Sequence, residues 1–110
     1  MGVYAVEGDE VVNMAWSGPG PPSHPRFSVR SGLTGAAIEA HSTIVSNDVA
    51  GDPRYLQTLE TTGSEIIVPV IADARVVGTL DVESARTGAF NEDDRRALER
   101  IAAELPPLYL

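Results

Sequence analysis

The stretch that most constrains this chain is residues 64–84, SEIIVPVIADARVVGTLDVES. It reads as two β-strands joined by a tight turn around Ala72, Asp73 and Ala74. Side chains alternate across a strand. The even positions Ile66, Val68, Val70, Val76, Gly78, Leu80 and Val82 therefore form one apolar face. The odd face is mixed: apolar near the turn, and acidic at the far end through Glu65, Asp81 and Glu83. A hairpin apolar on both faces near its turn belongs in the middle of a sheet covered on both sides.

Two registers fit this pattern. A turn over residues 72–74 sets Ile71 against Arg75 and Glu65 against Asp81. A turn over residues 73–75 sets Glu65 against Glu83 and Ile67 against Asp81. Either way, three carboxyl groups gather on one face. Like charges facing each other destabilise a sheet, so the cluster requires water, raised pKa values or a cationic partner. The spacing supports two readings equally: a wet end of a strand pair, or a pocket floor for an ammonium group, a guanidinium or a metal ion.

The remaining chain supplies elements around that hairpin. Residues 3–6 and 10–16 read as a first hairpin turning at Glu7, Gly8 and Asp9, with Val12, Met14 and Trp16 expected on one face. Residues 17–25, SGPGPPSHP, form a stiff irregular loop, which either walls a pocket or crosses the sheet end as a connector. Phe27 and Val29 point one way from a short extended segment. Gly32, Leu33, Thr34 and Gly35 open a short helix over residues 36–41, with Thr34 as expected N-cap. A short strand follows over residues 43–48, with Ile44 and Ser46 inward. Asp52 and Pro53 signal a second short helix, whose packing side is Tyr55, Leu56 and Leu59. Asn91 caps a last helix over residues 92–105, with Leu98, Ile101, Ala102 and Leu105 as its stripe. The order predicts an α+β sandwich in a single domain over residues 1–110. Its sheet is mainly antiparallel with five to six strands, with short helices on one face and the C-terminal helix on the other.

Bulk properties narrow the function classes. The formal net charge is −8, and every basic residue is arginine. That balance disfavours nucleic acid and anionic membrane surfaces as partners. There is no signal-peptide pattern and no long apolar run, so a cytoplasmic location is expected. The chain has no cysteine, which removes disulfides, thiolate nucleophiles and cysteine-based metal sites. Its two histidines, His24 and His41, are too far apart in sequence to suggest a metal site.

The segments GLTGAAIEA, IVSNDV, DPRYL, SEIIVPVIADARVVGTLDVES and AFNEDDRRALERIA resemble a GAF domain over nearly the whole chain. Among GAF domains they are most similar to the free methionine-(R)-sulfoxide reductases. The resemblance implies a small pocket for a free amino acid, with Glu65, Asp81 and Glu83 as its acids. It also implies three cysteine positions, occupied here by His24, Thr34 and Thr58. Sulfoxide reduction in that family requires an attacking thiolate and a resolving thiol, and a threonine hydroxyl supplies neither. The expected function is therefore a binding module for a small polar, amine-bearing ligand. In it Glu65, Asp81 and Glu83 take the cation. Thr34, Thr58 and the backbone N–H groups of the Gly32 to Gly35 turn take the polar or anionic end, and Trp16 or Tyr55 forms an apolar wall. No cofactor and no catalytic residue are expected. The alternatives are a degenerate GAF scaffold for dimerisation or partner binding, and a reductase-like enzyme that the missing thiols disfavour. Relatives carry a helix before the first strand, whereas this chain opens on a strand. Dimerisation through the C-terminal helix is expected to bury the sheet face so left open, the alternative being a truncated chain or a start placed too late.

Overall fold

The computed structural model describes residues 1–55 and 61–109. Its strands are β1 (Gly2–Glu7), β2 (Glu10–Trp16), β3 (Arg26–Ser28), β4 (Ile44–Ser46), β5 (Ser64–Ala72) and β6 (Arg75–Ser84). They form one antiparallel sheet in the order β3-β2-β1-β6-β5-β4. Two helices, α1 (Gly32–Ala40) and α2 (Glu92–Ala103), pack on it. The 64–84 hairpin sits inside the sheet, as its two apolar faces require.

Each face of that hairpin feeds a different apolar cluster. Ile66, Val68, Val70 and Leu80 pack with Ala102, Leu98 and Leu105 of the α2 side. Ile67 packs instead with Leu33 and Ala37 of α1, and with Val49. Next to β5, the short strand β4 divides the same way. Val45 meets the α2-side cluster, and Ile44 meets the α1-side cluster.

The turn is tighter than either expected register. Only Asp73 and Ala74 intervene, at φ 52° and 63°, the left-handed pair that a two-residue hairpin turn demands. A register shift between Val70 and Ile71 then adds one residue to β6. Beyond it Glu65 faces Glu83 and Ile67 faces Asp81, the second of the two expected registers. The shift also corrects one expectation near the turn: Val76 leaves the even face to pair with Ile71, and its neighbour Val77 packs with the α2-side cluster instead.

A second irregularity matters more for the site. In β1–β2 the register shifts between Val3 and Tyr4, so Val3 faces Ala15 while Tyr4 faces Asn13. Met14 is the extra residue, and Trp16 comes to face Gly2. Trp16 therefore leaves the face expected for Val12 and Met14, because a one-residue bulge swaps the alternation.

Three further expectations need correction. Thr34 is not the N-cap of α1. The helix begins at Gly32, at φ 68°, with Ser31 as cap residue and no side-chain cap bond. Gly35 allows this early start, since a Cβ there would sit 2.7 Å from the backbone carbon of Arg30. Asp52 does not open a helix. It closes a 3-10 turn, Val49–Gly51, and its carboxylate accepts hydrogen bonds from the backbone N–H of Arg54 (3.0 Å) and from the guanidinium (2.9 and 2.7 Å). That arrangement holds the Asp52 carboxyl well below the usual range. The rest of the expected helix, with Leu56 and Leu59, lies outside the described residues. On α2, Ile101 is not part of the buried stripe and is 49% exposed.

The helix itself starts as its sequence dictates. Asn91 accepts from the Asp94 backbone N–H at 2.9 Å while the Asp94 carboxylate accepts from the Asn91 N–H at 2.9 Å. A closing 3-10 turn, Pro106–Tyr109, then ties the chain end to the first strand. The Tyr109 hydroxyl donates to the Tyr4 carbonyl at 2.6 Å, across Gly78, where any Cβ would strike both groups. Among the described residues no helix is long and apolar enough to cross a membrane.

Candidate ligand-binding site

On the α1 side, the sheet does not close completely. A cavity of about 220 Å³ remains between β1, β5 and β6, the start of α1 and residues 17–22. The glycine- and proline-rich loop thus takes the first of its two possible roles and walls a pocket.

The three acids converge on this cavity. Glu65, Asp81 and Glu83 all line it, and Thr34 joins them from the first turn of α1. Glu65 is 5% exposed and Asp81 is 8% exposed. Because α1 starts early, the Thr34 hydroxyl is free of capping duty and donates to Asp81 Oδ2 at 2.9 Å. Thr62 donates to Glu83 Oε2 at 3.3 Å. The other oxygen of Asp81, Oδ1, and Thr79 Oγ1 on the same strand face are both buried without a hydrogen bond of good geometry, although the Thr79 hydroxyl is near enough to pull on the Asp81 carboxyl. Buried polar atoms are rarely left this way.

Burial dominates the electrostatics. It pushes the Glu65 carboxyl up to about 9, helped by the nearby charges of Asp81 and Glu83 and by a hydrogen bond with Glu83. Burial also raises Asp81, to about 7, against the opposing pull of the Thr79 and Thr34 hydroxyls. The phenol of Tyr4 stands among these acids. Burial raises its pKa first, and then Asp81, Glu83 and Glu65. Glu65 and Asp81 therefore hold their protons more tightly than ordinary carboxyls, and a cation would compete with those protons.

Trp16 lines the cavity mouth, as expected of a wall residue. Tyr55 does not reach the lining and packs instead against the Leu33, Ala37, Val49 and Ile67 cluster. Thr58 lies outside the described residues. His24 belongs to the same loop but falls outside the cavity lining. Sequence reasoning missed Tyr4 and Phe27, which both line the cavity. Strand alternation carried the signal for Tyr4, because it shares a face with Gly2, the partner of Asp81. Among the described residues no group of three or more His, Asp or Glu is placed to hold a metal ion.

The fold and this pocket define a recognisable class. A family model described as a GAF domain matches residues 1–105, and the chain belongs to the GAF domain family. Within it, the chain is similar to a type II free methionine-R-sulfoxide reductase from Thermoplasma acidophilum, whose solved structure superposes with a TM-score of 0.94 at 30% identity, covering 98% of this chain and 76% of that one. It is 28% identical over 101 residues to GAF domain-containing protein A of Dictyostelium discoideum, covering 92% of this chain and 63% of that protein. It is 27% identical over 106 residues to the free methionine-R-sulfoxide reductase of Escherichia coli, covering 94% of this chain and 62% of that enzyme. The chain therefore spans somewhat under two thirds of the length of these curated relatives.

Proposed function

We propose that this GAF domain is a cytoplasmic binding module, sensory or regulatory, that takes a small polar ligand through an amine. The observation that carries this reading is the convergence of three carboxyl side chains, Glu65, Asp81 and Glu83, on one cavity, two of them buried. An ammonium group would offset their charge and donate to their oxygens at once. At about 220 Å³ the cavity is below the range of drug-sized pockets, which favours a ligand no larger than an amino acid. Ser31, Gly32 and Leu33 bring the uncapped start of α1 to the same cavity. Its free N–H groups suit a carboxylate at the other end of the ligand.

The kinship with free methionine sulfoxide reductases supports an amino-acid-like ligand but not their chemistry. The chain contains no cysteine, so no thiolate of its own is available to attack a sulfoxide sulfur. The second reading, a dimerising scaffold, is favoured by Ile101 and Leu108, exposed at 49% and 60% on the α2 side. The two readings are compatible. Light scattering across micromolar concentrations tests the dimer, and a mass that stays monomeric throughout removes it.

A thermal-shift panel tests the binding reading, using free methionine sulfoxide, other amino acids, nitrate, cyclic nucleotides and divalent cations. A ligand at about 100 times its Kd adds about 2.7 kcal/mol of stability, roughly 10 °C or more in Tm for a domain of this size. The expected result is a rise with an amine-bearing ligand that disappears in Glu65→Gln. An amine shift that survives Glu65→Gln, or a panel with no amine shift at all, ends the reading.

A further inference from the structure

The acids account for only part of the cavity wall. Three of the six aromatic side chains of the protein, Tyr4, Trp16 and Phe27, also line it. They arrive from three adjacent strands, β1, β2 and β3. The rings of Tyr4 and Phe27 meet edge to face, 5.8 Å apart at 65°, and so form a corner rather than a flat wall. Trp16 stands at the mouth, 46% exposed, brought there by the β2 bulge. Opposite it, Gly2 has no side chain, and a Cβ there would sit 2.7 Å from Cε1 of Tyr4. Glycine thus keeps the ring of Tyr4 in place.

Aromatic rings and carboxyls together suit a particular kind of cation. A primary ammonium is compact and strongly hydrated, and the rings offer it little that the acids do not. N-methyl groups spread positive charge over an apolar skin that packs well on aromatic faces. A fully methylated nitrogen, however, has no N–H to give to the Glu65, Asp81 and Glu83 carboxyls that line the cavity. The ligand nitrogen that uses both halves of the wall carries methyl groups and at least one N–H.

We infer that the cation taken by this cavity is a secondary or tertiary N-methylammonium, with its N–H donated to the carboxyl cluster of Glu65, Asp81 and Glu83 and its methyl groups set against Tyr4, Trp16 and Phe27. This rests on the amine-binding reading above and narrows its ligand. The test is calorimetric titration with glycine, sarcosine, N,N-dimethylglycine and glycine betaine. These share one carboxylate and differ only in methylation. Sarcosine and dimethylglycine are expected to bind about tenfold tighter than glycine, with betaine weaker than dimethylglycine. Trp16→Leu is expected to bring the methylated ligands down toward glycine, and Trp16→Phe, which keeps a ring, to restore the ranking. Glycine binding as tightly as dimethylglycine, or betaine binding tightest, overturns the inference. If none of the four binds while another amine shifts Tm in the panel above, the inference fails and the amine reading stands. If no amine binds in either experiment, both fall.

Discussion

The two faces of the 64–84 hairpin are built from the same residues in alternation, yet they obey different rules. On the α2 side, Ile66, Val68, Val70 and Leu80 are at most 3% exposed and form a closed apolar cluster. On the α1 side, the same strands bury Glu65 and Asp81 nearly as deeply and leave Asp81 Oδ1 and Thr79 Oγ1 without a hydrogen bond of good geometry. One face satisfies every local preference of its residues. The other strains the rule against buried, poorly paired polar groups, beside a cavity. Local conflicts of this kind are expected where a protein has a function, so the contrast separates the side that stabilises the fold from the side proposed to bind.

Adjacent residues should therefore respond in opposite directions. Ile66→Ala removes a fully buried side chain from the closed face and should cost about 3 kcal/mol in urea unfolding. A loss under about 1 kcal/mol would mean that this face is not the core. Its neighbour Glu65→Gln should do the reverse at pH 8, raising stability by on the order of 1–3 kcal/mol while abolishing ligand binding. The sign follows from burial. The Glu65 carboxyl titrates at about 9 in the fold against an ordinary 4.5. Between those values the unfolded chain binds fewer protons, so stability falls as pH rises from about 5 to 9. Asp81, raised to about 7, adds to the same slope over the lower part of that range. Wild type and Glu65→Gln should converge near pH 5, and a variant weaker than wild type at pH 8 would contradict the picture. Ligand affinity should rise over the same interval, because a cation competes with the protons on these acids.

Smaller effects sharpen the contrast by lying outside both faces. Asn91→Ala removes the capping box of α2 and should cost about 1 kcal/mol, with ligand affinity unchanged within error. A double-mutant cycle on Arg95 and Glu99, 3.4 Å apart and each roughly 40% exposed, should give a coupling below about 0.5 kcal/mol. A coupling near 2 kcal/mol would show that this surface carries more of the stability than burial suggests.

Much of this was legible before any coordinates. The period-2 pattern of residues 64–84 placed the hairpin mid-sheet, and the Asn91 signal placed the last helix. The carboxyl cluster followed from strand parity alone, since both registers gather Glu65, Asp81 and Glu83 on one face. The GAF resemblance and the α+β architecture match the observed sheet and the family assignment. The misreadings share a physical cause. The positions of Val77 and Trp16 depend on single-residue bulges, which invert alternation without leaving a mark in composition. Threonine favours caps, which makes Thr34 the expected one. Its true place depends on Gly35 fitting against the Arg30 backbone, a contact between segments that no local pattern records. Aromatics suit pocket walls, yet Tyr55 packs in the other cluster instead.

Residue order by itself determined the alternation, the helix start at Asn91, the absence of thiols and the gathering of three acids. These are properties of neighbours along the chain, set by side-chain chemistry and strand parity. Tertiary structure decided the rest: that Glu65 and Asp81 are buried rather than wet while Glu83 is half-buried, and that Tyr4, Trp16 and Phe27 stand beside them. Burial and cavity shape depend on how distant segments cover one another. The pKa shifts, and the ligand preference proposed for the cavity, follow from that covering rather than from the residues alone.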